Sequence, residues 1–186
     1  MFKGKNILIT GQQGMIGREL FILLKKEGAN IRVADLKSGQ DLRKFDECLR
    51  LTKDMDYVFH LAGIKGNPKM TKEKPVNFMG PMLQFDTNMI LASQMNEVEK
   101  FLYTSSIAVE NPETDKYPAW AKQTAETLID AMRIQYPDGT KFCIVRPANV
   151  YGRFDDFNNP NAMVITSLIS KAIKEKKIIL DNKGSK

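Results

Sequence analysis

The chain has 186 residues, of which 42% are hydrophobic and 27% charged, a balance typical of a globular protein with a well-buried core. No apolar run is long enough to cross a bilayer, and the N-terminus leads directly into a strand-like segment. The two cysteines form no disulfide framework and no metal spacing. We therefore expect no membrane span, no signal peptide, no metal site and a cytoplasmic location.

The net charge of +6 is concentrated near the end of the sequence. Residues 171–186 contain six lysines and two acidic residues, and neither arginine nor an aromatic residue stands among them. A nucleic-acid interface usually combines arginines with interleaved aromatic residues on one face. We therefore interpret this stretch as a solvated helix face and expect no nucleic-acid partner.

Strand-like and helix-like segments alternate along the chain, a pattern typical of a parallel sheet with helices on both faces. The predicted strands are Asn6–Thr10, Asn30–Asp35, Tyr57–Leu61, Lys100–Ser105, Lys141–Arg146 and Ile178–Leu180. The predicted helices are Met15–Glu27, Asp46–Lys53, Pro81–Asn96, Trp120–Gln135 and Asn161–Lys176. We expect an α/β fold with a doubly wound parallel sheet over residues 1–152.

The most informative motif joins the first strand to the first helix, where three glycines follow an apolar run at intervals of three residues. In this context the first glycine permits a sharp turn, the second lets backbone approach a pyrophosphate, and the third lets helix and strand pack closely. The helix N-terminus offers free N–H groups and a partial positive charge to phosphates. The motif predicts dinucleotide contacts at Gly11, Gln13, Gly14, Met15, Ile16 and Gly17.

Asp35 ends the second predicted strand, 18 residues after Gly17. A carboxylate at this position can accept hydrogen bonds from both hydroxyls of an adenosine ribose, and it would repel a 2′-phosphate. The residue therefore favours NAD over NADP as cofactor, although Lys37 nearby weakens the preference.

Further segments in the same order resemble the extended short-chain dehydrogenases/reductases, and among them the nucleotide-sugar epimerases and dehydratases. His60–Lys65 resembles the stretch beside the cofactor ribose in UDP-galactose 4-epimerases. Tyr103–Val109 resembles the strand that ends in the catalytic serine, and Arg146–Gly152 closely matches the family's Arg-Pro-x-Asn-Val-Tyr-Gly segment. Asn77–Ser106 also resembles GDP-fucose synthases. The resemblance runs from Lys5 to about Lys186.

This resemblance implies a Rossmann-type fold, NAD as cofactor and a nucleotide sugar as substrate, with epimerisation, dehydration or 4-keto reduction as the reaction. It implies that Ser106 hydrogen-bonds the sugar oxygen, that Lys122 serves the active site and holds the nicotinamide ribose, and that Asn149 faces the substrate phosphates. The further cofactor contacts that it implies are Asp41, Leu42, Leu61, Ala62, Gly63, Lys65, Asn88 and Pro147.

The sequence departs from the family pattern in three places. The family's Tyr-x-x-x-Lys would put tyrosine four residues before Lys122, where Pro118 stands, while Tyr117 is five residues before it. We interpret Tyr117 as the replacement base, placed just outside the helix by the proline that follows it, with a surface tyrosine as the alternative. Ile107 replaces a cysteine that GDP-fucose synthases use in epimerisation. Residues 153–186 resemble only the beginning of a substrate domain.

Three further interpretations follow from the residue pattern. The single histidine, His60, is a satisfied core residue, because no carboxylate stands near it in sequence to orient it, and Cys143 also belongs to the core. The helix Pro81–Asn96 is apolar on more than one side, which predicts a homodimer through it and Trp120–Gln135; coverage by its own chain is the alternative. A non-catalytic NAD-binding module and a short-chain reductase acting on a non-sugar substrate remain alternative functions.

Overall fold

Within the part of the chain that the structure describes, five parallel strands form one sheet in the order β2-β1-β3-β4-β5. In the computed structural model, which describes residues 1–64, 68–158, 162 and 164–175, these strands are β1 Asn6–Thr10, β2 Asn30–Ala34, β3 Tyr57–His60, β4 Lys100–Thr104 and β5 Lys141–Val145. The order is that of a Rossmann sheet without its outermost strand, since residues 35–56 hold a 3₁₀ turn and a helix between β2 and β3. The predicted Rossmann-type α/β fold is confirmed.

Helices cover both faces of this sheet. The helix α1 Met15–Lys26 packs on one face, while α2 Phe45–Thr52, α4 Val76–Met95 and α5 Lys116–Gln135 pack side by side on the other. The shorter α3 Pro68–Glu73 precedes α4, and α6 Val164–Glu175 follows β5. Right-handed crossovers require this division. The connection from β1 to β2 moves toward one edge of the sheet, whereas the later connections move toward the other edge, so their helices lie on opposite faces.

The strands supply alternate residues to two apolar clusters, as strands buried on both faces must. Ile7 and Ile9 pack toward α1 with Leu24. Leu8, Val58 and Phe101 face α4 and α5 in the larger cluster. Strand order reverses between β1 and β3, so a crevice opens where these two strands end.

Two helices begin a turn or more before the position that the sequence pattern predicted. The helix α4 begins at Val76, with Pro81 inside it, because Phe78 is buried four residues before Met82 and extends the core-facing side by a turn. The helix α5 begins at Lys116, and Pro118 is its third residue, where a missing N–H breaks no helical hydrogen bond. Four of the strands, β2 to β5, end one residue before the predicted position.

The prediction that Cys143 belongs to the core is wrong. Phe142 points toward α5 and is buried, so Cys143 points to the opposite face of β5, where it borders an open cavity with Phe2 and Phe59, and it is exposed. The predicted strand Ile178–Leu180 lies outside the described residues. Among the helices that the structure describes, none is both long and apolar enough to span a bilayer.

Candidate functional site

A cavity of about 320 Å³ opens at the carboxyl ends of β1, β2 and β3, the place where the strand order reverses. Its walls include six residues that were predicted to contact a cofactor, namely Gly11, Asp35, Asp41, Leu42, Ala62 and Gly63. The walls also include residues that the sequence analysis missed, among them Gln40, Arg43, Asn77, Pro81 and Phe85. None of these additional lining residues belongs to a sequence motif. Only Arg43 could have been predicted to line the cavity, because it follows the predicted contact Asp41 by two residues.

The three motif glycines meet different surroundings. Gly11 has φ +68°, and a Cβ there would lie 2.8 Å from the Ala62 nitrogen, so its backbone turn admits no side chain. A Cβ at Gly17 would overlap the Gly11 carbonyl oxygen. Gly14 is exposed, and its Cβ would lie 3.2 Å from that same oxygen. Gly11 and Gly17 therefore serve the close packing of loop and helix, whereas Gly14 leaves open space above the loop.

That open space lies at the N-terminus of α1. Gly14 is the N-cap residue, and no side chain caps the first turn, so the N–H groups at this end of the helix remain available to an anion. Met15 and Ile16 begin the helix, and Gln13 lies in the preceding loop. Of the predicted phosphate-facing residues, Gly11 lines the cavity, whereas Gln13 to Gly17 follow it in the chain and do not line the cavity.

Asp35 is held in place by backbone donors on both sides. Its Oδ2 accepts from the Gln13 N–H at 3.1 Å, and its Oδ1 accepts from the Lys37 N–H at 3.1 Å. A carboxylate has about four lone-pair sites, so two remain for further donors such as ribose hydroxyls. The side chain is therefore fixed at the cavity wall before any ligand arrives.

The second carboxylate of the cavity, Asp41, is paired with Arg43. The guanidinium approaches through Nε at 2.8 Å and through a terminal nitrogen at 2.7 Å. The Arg43 hydrogen bond lowers the pKa of Asp41 to about 2. Asn88 does not line the cavity; its Nδ2 donates to the Leu42 carbonyl at 3.0 Å and so anchors the loop that carries Asp41.

A second group of predicted residues gathers where β4 and β5 end. The Ile107 N–H donates to the Pro147 carbonyl at 3.1 Å, which joins the two loops, and the Ser106 Oγ accepts from the Ala108 N–H at 3.1 Å. Asn149 is exposed in the loop after β5, beside a small cavity that it shares with the start of α6.

Arg146 ties the loop after β5 to α5. Its guanidinium binds Glu126 through two hydrogen bonds, of 3.0 and 2.5 Å. Burial raises the pKa of Glu126, but the Arg146 hydrogen bond and the positive charges of Arg146 and Lys122 together outweigh burial, so that pKa is lowered overall. Glu126 therefore stays an anion that is engaged by Arg146.

Lys122 lies on the inner side of α5, with its side chain 10% exposed. Its Nζ is 3.3 Å from Asp86 Oδ2 and 4.6 Å from the centre of the Tyr103 ring. Sequence reasoning missed Asp86, which stands on α4, 36 residues before the lysine. The interpretation of His60 as a satisfied core residue is confirmed, since the ring is fully buried. The carboxylate that orients it is Asp86, at 2.9 Å.

The prediction that Tyr117 lies just outside the helix is wrong, because Tyr117 is the second residue of α5. Its side chain is 37% exposed. Five residues of helix rotate it by about 140° from the direction of Lys122. The structure therefore puts both residues on one helix without turning them toward the same side. Lys65 lies outside the described residues.

The chain matches a family model described as the NAD dependent epimerase/dehydratase family over residues 7–186. The GDP-mannose 3,5-epimerase 1 of Oryza sativa subsp. indica is 32% identical over 117 residues, covering 55% of this chain and 31% of that protein. Curated relatives that match over most of the chain are longer, and the chain spans about three fifths of their length.

Solved structures agree in fold. A UDP-N-acetylglucosamine 4-epimerase from Methanobrevibacter ruminantium, in complex with UDP-N-acetylmuramic acid, is 26% identical with a TM-score of 0.80, covering 93% of this chain and 64% of its own. A GDP-L-fucose synthetase from Naegleria fowleri bound to NADP is 23% identical with a TM-score of 0.79, covering 99% and 67%. The family model that matches residues 7–186, in agreement with the glycine loop and the cavity at the strand ends, shows that the chain belongs to the NAD-dependent epimerase/dehydratase family.

Proposed function

We propose that this chain binds a nicotinamide dinucleotide and supports oxidoreduction of a nucleotide sugar, as an epimerase, a dehydratase or a 4-keto reductase. The observation that carries the proposal is the cavity at the switch in strand order, which brings the glycine loop, Asp35, Asp41 and Ala62 to one place. The uncapped N-terminus of α1 and the open space above Gly14 fit a pyrophosphate, and the Asp35 carboxylate fits a ribose.

We propose NAD as the preferred cofactor, because the fixed Asp35 carboxylate would repel a 2′-phosphate. Two cations oppose this preference: Lys37 is adjacent, and Arg43 lines the same cavity. Arg43 is engaged by Asp41, however, which reduces the positive charge it offers to a ligand. The balance favours NAD.

Calorimetric titration is expected to show tighter binding of NAD than of NADP. Asp35→Ala should narrow the difference, since charge-assisted hydrogen bonds to the ribose contribute about 1.5–3 kcal/mol. Asp138→Ala, at an exposed carboxylate in the turn after α5, is the matched control and should leave both affinities unchanged. Equal or tighter binding of NADP by the unmodified chain would contradict the preference.

The predicted residues outside the cofactor cavity are assigned the following roles in the reaction. When bound, the nicotinamide supplies reversible hydride acceptance. We assign the removal of the sugar hydroxyl proton to Tyr117, a hydrogen bond to the same sugar oxygen to Ser106, and the holding of the nicotinamide ribose to Lys122. Asn149, exposed in the loop after β5, is assigned to the substrate phosphates. Residues 153–186 are proposed to begin the substrate-binding region, and the cytoplasmic location remains a prediction.

The second candidate function is a non-catalytic dinucleotide-binding module. It is favoured by the start of α5, where Pro118 occupies the position one turn before Lys122 and Tyr117 points away from the lysine. Such a module would retain the cavity and its cofactor while lacking a base. A panel of nucleotide sugars incubated with NAD separates the two candidates, because only an enzyme converts one of them.

We also propose a homodimer through the outer surfaces of α4 and α5. Much of the apolar surface of α4 is covered by the sheet, α2 and α5, but Leu83 and Leu91 are only partly buried against the core, and Met95 is exposed. Trp120 on α5 is 45% exposed. This remaining apolar surface is what a second copy would cover.

Light scattering at micromolar concentration is expected to give about twice the chain mass of 21.1 kDa. Leu91→Lys should give the monomer mass, since it places a charge in the proposed contact. Ile22→Lys introduces the same charge at an exposed position of α1, on the opposite face of the sheet. A chain with this substitution should still give the dimer mass. A monomer mass for the unmodified chain would rule the interface out.

A further inference from the structure

A buried series of hydrogen bonds runs inward from the cavity wall. The Ala62 N–H donates to Thr10 Oγ1 at 3.2 Å, and Thr10 Oγ1 is 2.7 Å from His60 Nδ1. His60 Nε2 is 2.9 Å from Asp86 Oδ1. Thr10, His60 and Tyr103 stand directly beside one another across β1, β3 and β4, which explains why their side chains meet on one face. We call this series the Thr10–Asp86 chain.

The direction of each hydrogen bond in the Thr10–Asp86 chain is fixed by chemistry. An ionised Asp86 only accepts, so His60 donates from Nε2 and accepts at Nδ1, and the Thr10 hydroxyl must donate to Nδ1. Burial lowers the pKa of His60 despite the neighbouring carboxylate, so the ring is neutral at neutral pH. A neutral ring with a defined tautomer therefore connects the cavity wall to Asp86.

Asp86 is the point at which three donors converge. They are the His60 Nε2–H, the Tyr103 hydroxyl at 2.6 Å and the Lys122 ammonium at 3.3 Å. Burial raises the pKa of Asp86, but the Lys122 charge and the donated hydrogen bonds outweigh it, so its pKa is lowered overall. Asp86 thus remains an anion, with its side chain 1% exposed.

The neighbouring acid on α5 does not compete for the lysine. Glu126, one turn after Lys122, is bound by Arg146 through two hydrogen bonds. Among the described contacts, the hydrogen bond from the lysine ammonium goes to Asp86. A buried ion pair adds little net stability compared with apolar packing, so its effect here is to fix where the ammonium lies.

We propose that Asp86 is the positioning residue for Lys122 and that the Thr10–Asp86 chain fixes this carboxylate relative to the cofactor cavity. The inference rests on the proposed function, in which Lys122 holds the nicotinamide ribose. Lysine has a flexible four-carbon stem, so a single strong acceptor decides where its charge is presented. Ala62, whose N–H donates to Thr10 at the outer end of the Thr10–Asp86 chain, lines the cofactor cavity.

The test compares two ligands that share the adenosine half. Asp86→Asn keeps the side-chain volume and removes the charge that holds Lys122. It is expected to weaken NADH binding by about ten- to a hundredfold while leaving ADP binding unchanged, because ADP has no nicotinamide ribose. Lys122→Met should produce the same selective loss. The double variant should bind NADH no more weakly than Lys122→Met alone, because Asp86 acts through the lysine.

Two results would overturn the inference: an equal loss of NADH and ADP affinity in Asp86→Asn, which indicates a merely structural role, or losses that add in the double variant. Failure of the unmodified chain to bind NADH would instead contradict the proposed function.

A second measurement needs neither cofactor nor the Asp86→Asn variant. His60 is the only histidine, so its ring nitrogen resonances are assigned without ambiguity in a ¹⁵N spectrum. We expect the Nε2-protonated tautomer, and we expect Lys122→Met to shift these resonances through Asp86. Lys116→Met, at an exposed lysine of the same helix, is the control and should not shift them. An Nδ1-protonated ring, or resonances that do not respond to Lys122→Met, would refute the proposed coupling.

Discussion

Tyr117→Phe is expected to lower turnover of the nucleotide sugar by about 10²–10⁴-fold while leaving NAD affinity nearly unchanged. The substitution keeps the ring and removes only the hydroxyl that transfers a proton. Tyr103, whose ring centre lies 4.6 Å from Lys122 Nζ, is unsuitable as a base: burial raises its pKa, and its hydroxyl already donates to Asp86. The assignment of Tyr117 requires its side chain to reach around the first turn of α5 when substrate is bound.

The measurement is product formation from the converted nucleotide sugar at saturating NAD. Tyr136→Phe, at the opposite end of α5, is the matched control and should retain the wild-type rate. If Tyr117→Phe also retains that rate, another group is the base. If the unmodified chain converts no nucleotide sugar even when a complementary substrate-domain chain is supplied, the binding-module function is the correct one.

Gly14→Val is expected to abolish NAD binding in a chain that still folds. The new Cβ lies 3.2 Å from the Gly11 oxygen, so the loop needs only a small adjustment, but the side chain fills the space proposed for the pyrophosphate. Titration calorimetry measures the binding, and a cooperative urea transition establishes that the variant is folded. A folded Gly14→Val variant with wild-type affinity would show that these glycines serve only the turn.

A substitution at Gly17, in contrast to one at Gly14, is expected to lower the stability of the fold. Gly17→Ala places its Cβ against the Gly11 backbone, where overpacking typically costs about 1–3 kcal/mol of unfolding free energy. Gly80→Ala is the control, since no atom lies within 4 Å of its Cβ and alanine is the better helix former. The contrast between Gly14 and Gly17 separates the role of the motif in binding from its role in packing.

The cavity could be predicted because its main residues belong to short local patterns. Gly11 follows a buried strand and precedes a helix, and Asp35 ends the next strand, so both arrive at the same edge of a parallel sheet. Such patterns need only the chain on either side of them. The Rossmann-type fold could be predicted for the same reason, since its helices and strands alternate.

Asp86 could not be predicted, because its partners come from three other elements. Tyr103 is 17 residues away, His60 is 26 and Lys122 is 36. They meet only through the register of β3 with β4 and the way α4 packs against α5. Within the sequence of α4, Asp86 interrupts an apolar run and carries no sign of a partner. The early start of α5 could not be predicted, because a proline disfavours helical geometry at the residue before it, yet it is tolerated in the first turn of a helix, where Pro118 lies.

Trp120, the only tryptophan of the chain, lies on the exposed side of α5, two residues before Lys122. All indole emission therefore comes from the helix that bears both the lysine and the proposed contact between copies. A half-exposed indole emits at long wavelength and is open to quenching by iodide, whereas an indole covered by a second copy emits further to the blue and is shielded. The fluorescence of the unmodified chain thus reports the state of this one helix without any added label.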